Sequence, residues 1–122
     1  MTYKMIVLDL DDTLLRDDQT ISERTKDALF QAQEAGVKVV LASGRPTYGM
    51  RWVAEELKLN QYGSYILSFN GSKIIDCKTN EEKYSRTLST ETVHRLYDLS
   101  KRENVGILTY AEEAIIVEET NQ

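Results

Sequence analysis

The sequence predicts an α/β fold built on a parallel sheet, and three observations carry the prediction. Residues 5–15 read MIVLDLDDTLL, an apolar, β-branched run that ends abruptly in carboxylates. Residues 37–42, VKVVLA, form a second apolar run. A helical pattern separates the two. Apolar runs of this kind read as buried strands of a parallel sheet, and strand, helix, strand within about forty residues is a βαβ unit.

The elements follow in order. Residues 3–10 are the first strand. Residues 11–21 form a polar turn region with Arg16, Asp17, Asp18 and Gln19 at its tip, suited to a short hairpin or flap over the strand end. Ser22 caps a helix to about residue 35, with Ala28, Leu29 and Ala32 as its apolar stripe and Gly36 as its stop. The strand at 37–42 leads into Ser43-Gly44-Arg45-Pro46. Pro46 suits the first turn of a helix, and Met50, Val53, Ala54 and Leu57 continue it to about residue 58. Residues 65–69 are a third strand, Asn70-Gly71 a turn, and residues 72–76 the returning strand of a hairpin. A polar stretch precedes a further strand at 84–88.

The pattern changes near residue 85 and divides the chain into 1–85 and 86–122. In the second part a helix from Ser89 to about residue 103 turns Val93, Leu96, Tyr97 and Ser100 inward. Strands at 106–110 and 114–118 follow, with Glu112-Glu113 as the turn. This is the start of a second, α+β unit.

The chain has 122 residues, 41% hydrophobic and 29% charged, enough for one domain with a real core. One proline and six glycines argue against a fibrous or disordered chain. A net charge of −5 and a pI near 4.9 argue against nucleic acid or an anionic membrane as main partner. A small anionic substrate stays open, because a bound Mg²⁺ reverses the field at one site. The lone cysteine, Cys77, excludes an internal disulfide, reads as a half-buried strand residue and fits a reducing compartment. No apolar run reaches the roughly 18 residues of a membrane span and no signal peptide precedes Met5, so a cytoplasmic protein is expected. Trp52 and the tyrosines read as packing or surface residues, His94 as solvated, and Lys4 and Lys38 as solvent-facing or strand-edge residues.

Ligands of open α/β sheets sit at the carboxyl ends of the strands, where Asp9 and Asp11 stand two residues apart. Bringing such charges together calls for a cation, with a phosphate beside it. A carboxylate placed like Asp9 can attack phosphorus and form an aspartyl-phosphate. Asp11 can protonate the leaving oxygen and then deprotonate water. The Ser43 hydroxyl and the first amides of the following helix can hold a phosphoryl oxygen. Gly44 lets the backbone come close, and Arg45 can contact the substrate or pair with an acid. The plainer reading of the acids is a solvated turn. A calcium loop fails, because its twelfth position falls on Thr20 and its sixth on Leu14.

MIVLDLDDTLL, with Ser43 of LASGRP thirty-four residues after Asp9, resembles motifs one and two of the haloacid dehalogenase superfamily. SFNG at 68–71 and the hairpin after it resemble the Cof-type subfamily. The resemblance implies a Rossmann-like parallel sheet, here partial. It also implies a Mg²⁺-dependent phosphatase of sugar phosphates and similar small metabolites, working through an aspartyl-phosphate. It makes Asp9 the nucleophile and a Mg²⁺ ligand. It makes Asp11 the general acid/base, with its backbone carbonyl on the metal. Ser43 and Gly44 would bind the transferring phosphoryl group, with Arg45 and Asn70 at the mouth. Asp12 stands where relatives often have glycine and is given a structural role. Residues 86–122 resemble the first part of the family's cap domain, which closes over the substrate and sets specificity.

One departure matters. The family supplies a lysine and a Gly-Asp pair later in the chain, and after Leu88 no Gly-Asp pair occurs. Lys101, on a cap-like helix, is a poor substitute. The expectation is the amino-terminal part of a phosphatase, whose partner is the remaining carboxy-terminal part of the same protein. By itself it would be weak or inactive, with one side of the first strand unpaired. Two rivals are a response-regulator-like phospho-acceptor domain and a non-catalytic fragment of the same fold. The first would carry its acceptor aspartate at the end of strand three, where this chain has Phe69-Asn70. Phosphomutases and other transferases share the first motif.

Overall fold

Parallel pairing of β1 (Met5–Leu8) with β2 (Lys38–Ala42) starts the sheet in the computed structural model, which describes residues 2–118. α1 (Glu23–Glu34) joins the two strands. The Ser22 hydroxyl accepts the Thr25 N–H at its start, and Gly36 beyond its end takes the left-handed φ of 88° that a helix stop needs. β3 (Tyr65–Ser68) pairs parallel to β2; β4 (Lys73–Asp76) and β5 (Glu82–Ser85) add antiparallel strands. The order is β1-β2-β3-β4-β5, so β1 is an edge among the described residues. The α/β class follows from the sequence as expected; the last strand begins two residues earlier than its apolar pattern suggests.

β1 is shorter than the predicted strand and is not covered on both faces. Met5 and Val7 are 49% and 55% exposed, while Val39, Val40 and Leu41 of β2 are buried. Position in the sheet decides this: an edge strand has a neighbour on one side only. On α1, Leu29 and Gln33 face inward and Ala28 faces out. Gln33 is tolerated inside because its amide donates to the Leu57 carbonyl at 3.0 Å.

Between β2 and β3 the chain makes a 3₁₀ turn (Thr47–Gly49), then α2 (Arg51–Glu56) and α3 (Leu59–Tyr62), where one helix was expected. Lys58 breaks the run with a left-handed φ of 57°. Gln33 meets the carbonyl just before the break, and the Lys38 ammonium meets the Gly63 and Tyr62 carbonyls at the far end. Met50, Val53, Ala54 and Leu57 are all buried nonetheless. With Leu29, Leu41, Leu59, Ile66 and Ile75 they form the core, each fully buried large side chain contributing about 1.5–3 kcal/mol.

The turn region 11–21 belongs to that core as well. Leu14 and Leu15 donate backbone bonds to Asp9 and Leu10 at 3.2 and 2.9 Å, and Leu10, Leu14, Leu15 and Ile21 are buried. The polar residues between them are thereby pinned instead of forming a free flap.

The chain divides between Ser85 and Arg86 into two compact units. The second contains α4 (Thr90–Arg102), capped by Ser89, and a hairpin of β6 (Leu108–Ala111) and β7 (Ala114–Val117). The hairpin turns at Glu112, whose φ is 52°. Ser100 is buried, but Val93, Leu96 and Tyr97 stay 40–48% exposed, contrary to expectation. One helix and one hairpin do not close a core. The Lys101 ammonium and the Tyr97 hydroxyl both bond Glu118. No helix among the described residues is long and apolar enough to cross a membrane.

Candidate active site

Because β1, β2 and β3 are parallel, their carboxyl ends emerge at one edge of the sheet. The register sets Leu8 beside Leu41, so Asp9 stands beside Ala42 with Ser43 the next residue. Asp9 is exposed; its Oδ1 accepts the Leu10 N–H at 2.8 Å and its carbonyl accepts the Leu14 N–H at 3.2 Å. The second bond comes from the same pinned turn that buries Leu14.

Asp11 is also exposed and faces Arg45. Arg45 Nε donates to Asp11 Oδ2 at 3.0 Å and Nη2 to Oδ1 at 2.6 Å, the two-pronged arrangement that suits a guanidinium and a carboxylate. Arg45 Nη2 also donates to Gln19 Oε1 at 2.6 Å, and Nη1 to the Gly49 carbonyl at 3.3 Å. Bonding to Arg45 holds the Asp11 carboxyl below the usual carboxylate range, slight burial opposes this, and the Gln19 amide adds to the lowering. Arg45 is raised by the same pairing.

Ser43 is buried at the end of β2. Its Oγ accepts the Arg45 N–H at 3.1 Å and its own N–H donates to Leu67 O at 3.0 Å. Its carbonyl accepts the Asn70 N–H at 3.0 Å, and the Arg45 carbonyl accepts the Phe69 N–H at 2.9 Å. The loops after β2 and β3 are thus stitched together. Phe69 and Asn70 both take left-handed φ values, 50° and 55°, a turn that asparagine accepts more readily than most residues. Gly44 makes this junction tight: a Cβ there would stand 3.0 Å from Asn70 Oδ1, so the Asn70 side chain would have to shift. Below the loop, Thr47 Oγ1 meets the fully buried Ser68 Oγ at 2.7 Å.

Asp11, Arg45, Ser43, Gly44 and Asn70 therefore form one connected group beside Asp9. Gln19 and the Gly49 carbonyl belong to it without any signal in the sequence, since no spacing rule brings a loop tip onto Arg45. Asp12 points to a different property of the turn: its φ is 61°, which explains why glycine suits that position. Cys77, just past β4, is half-buried, and burial together with Asp76 pushes its thiol up to about 11, leaving it inert. His94 is exposed, and Lys101 is bonded to Glu118 in the second unit.

The Asp9 carboxylate and the Asp11 backbone carbonyl are hard oxygen donors of the kind Mg²⁺ takes. Among the described residues no cluster of three or more Asp, Glu, His or Cys side chains could hold a metal ion. Two such oxygens are fewer than the six that an octahedral Mg²⁺ shell takes.

The pattern of the haloacid dehalogenase-like hydrolases matches residues 6–122. YxeH of Bacillus subtilis is 40% identical over 98 residues, covering 80% of this chain and 36% of YxeH. The 5-amino-6-(5-phospho-D-ribitylamino)uracil phosphatase YcsE of the same organism is 37% identical over 103 residues, covering 84% and 40%. Among solved structures, a haloacid dehalogenase-like hydrolase from Bacteroides thetaiotaomicron superimposes with a TM-score of 0.89 at 43% identity. That match covers 99% of this chain and 46% of the other. The chain spans less than half the length of each of these relatives. With the family pattern matched over residues 6–122, the chain belongs to the haloacid dehalogenase-like hydrolase family.

Proposed function

We propose that the chain carries the nucleophile half of a Mg²⁺-dependent phosphatase that hydrolyses phosphate monoesters of sugars and similar small metabolites. The observation that supports this reading best is the bonded group Asp11–Arg45–Ser43–Asn70 beside Asp9 at the carboxyl edge of β1–β3. In the first step an Asp9 oxygen attacks phosphorus, the bond to the leaving oxygen breaks, and Asp11 supplies the proton that oxygen takes up. In the second, Asp11 as carboxylate accepts a proton from water. The water oxygen attacks phosphorus, and the bond to Asp9 breaks to release phosphate. Pairing with Arg45 favours the carboxylate form of Asp11 that the second step uses, and proton donation in the first step requires that pairing to loosen so that Asp11 carries the proton it delivers. Ser43 and the backbone at Gly44 hold phosphoryl oxygens, and Asn70 borders the entrance.

Asp9 and the Asp11 carbonyl would hold Mg²⁺, which supplies charge neutralisation between carboxylate and phosphate. Residues 1–85 act as the hydrolase core and residues 86–122 as the start of a cap that selects the substrate. The cytoplasm, with its reducing conditions, is the proposed place of action. With only two of the metal's oxygen donors in hand, turnover by these 122 residues alone is weak or absent.

The test is p-nitrophenyl phosphate hydrolysis with and without Mg²⁺, combined with acid-quenched mass analysis of the protein. A phosphoryl group on Asp9 that requires Mg²⁺, and disappears in Asp9→Asn, supports the reading. Hydrolysis indifferent to Asp9→Asn overturns it. Robust turnover by the 122 residues alone would overturn the expectation of weak activity.

A further inference from the structure

We propose that Gln19 is a positioning residue which, with the Gly49 carbonyl, fixes the plane of the Arg45 guanidinium against Asp11. Its consequence for turnover rests on the phosphatase reading above; the contact itself rests on geometry alone. Arginine carries five N–H donors in a planar fork. Two meet the Asp11 carboxylate, one meets Gln19 Oε1 at 2.6 Å and one meets Gly49 O at 3.3 Å. Asp11 alone would be a poor anchor, because its side chain is half exposed and exposed pairs hold geometry weakly. The two further bonds come from separate segments, the tip of the 16–20 loop and the end of the 3₁₀ turn. Together they oppose rotation of the fork in two directions.

The loop is built to present Gln19. Its backbone takes a φ of 65°, which side-chain-bearing residues rarely adopt. Arg16 donates to the Thr20 carbonyl at 2.9 Å and Gln19 donates to the Arg16 carbonyl at 2.8 Å. Asp18 accepts from both the Thr20 N–H and hydroxyl, at 3.1 and 2.6 Å. An uncommon backbone conformation over-determined by its neighbours, at a place where the side chain reaches Arg45, marks a built contact. Gln19 acts through Arg45, and Arg45 through Asp11.

The test uses the Arg45 Nε–H resonance of the full 122-residue chain, assigned by its loss in Arg45→Lys. In the unmodified protein it is expected to be sharp and slow to exchange. In Gln19→Ala it should broaden and exchange faster, while Gln19→Glu, which keeps an acceptor oxygen at the same reach, should restore it. The rate at which water removes the phosphoryl group from labelled Asp9, the step in which Asp11 takes up the proton, should fall about tenfold in Gln19→Ala, with the extent of labelling changed by less than about twofold. An unchanged Arg45 resonance in Gln19→Ala overturns the inference. An altered resonance with an unchanged rate of phosphoryl loss overturns its catalytic part. If no phosphoryl group forms on Asp9 in the unmodified protein, the phosphatase reading falls and the resonance alone decides the contact.

Discussion

Replacing Gly44 with alanine separates the packing of the site loop from its chemistry. The new methyl carbon would stand 3.0 Å from Asn70 Oδ1 and 3.5 Å from its Cγ and Nδ2. Ordinary contact begins near 3.4 Å, so the Asn70 carboxamide must retreat by a few tenths of an ångström. Asn70 is exposed and free to turn, at a cost of about 0.5–1.5 kcal/mol for leaving its rotamer. Gly44 itself is outside the left-handed region, so alanine gains about 0.4–1 kcal/mol from a less flexible unfolded chain. The two effects nearly cancel, and a net change under about 1 kcal/mol shifts Tm by less than about 4–8 °C in a domain of this size. Phosphate binding should change more. On the proposed reading the methyl group would stand where the backbone approaches a phosphoryl oxygen, and Asn70 would have moved. A roughly tenfold loss of affinity, about 1.4 kcal/mol, is expected. Circular-dichroism melting gives the first quantity, and titration of the amides of residues 43–45 and 70 with inorganic phosphate gives the second. Unchanged phosphate affinity would refute the placement of the phosphoryl group. A far larger fall in Tm would show that Gly44 serves packing first.

Asp12→Gly relieves a left-handed backbone and should raise stability by about 0.5–1 kcal/mol; a lower Tm would show that the Asp12 side chain contributes more than its strain costs. Leu57→Ala empties a fully buried position and should lower unfolding free energy by about 2–5 kcal/mol in urea titrations, whereas a loss under about 1 kcal/mol would contradict the core described. In the second unit, bonding to Lys101 and then to Tyr97 holds Glu118 below its ordinary value of 4.5. A depressed value in the fold means that the pair's stabilisation is complete above the unfolded value and is lost as pH falls through the folded one. The β6–β7 amides should therefore shift together below about pH 4.5, and Glu118→Gln should abolish that step.

Much of the fold could be read from local chemistry. Ser22 and Ser89 cap the helices their side chains predict, and Gly36 stops the first helix. Met50, Val53, Ala54 and Leu57 turn inward although the helix carrying them breaks at Lys58, because burial follows apolar spacing more closely than helix continuity does. What escaped depended on distant partners. Ala28 yields the inner face to Gln33 only because the Leu57 carbonyl waits there. Val93, Leu96 and Tyr97 look like core residues by spacing, yet the second unit offers too little to cover them. In the site, the types and spacing of Asp9, Asp11 and Ser43 were visible in the sequence, and Arg45 pairing with an acid was one of two alternatives. The contributions of Gln19 and Gly49 were invisible, since they depend on how two loops meet.

In the proposed reaction Asp9 takes a phosphoryl group from a phosphate monoester. Acid-quenched intact-mass and peptide analysis after incubation with p-nitrophenyl phosphate and Mg²⁺ tests it most directly. The result expected is one added phosphoryl group, located on Asp9, dependent on Mg²⁺ and missing from Asp9→Asn. A phosphoryl group on another residue, or none under conditions where the amides at residues 43–45 report bound phosphate, would contradict it.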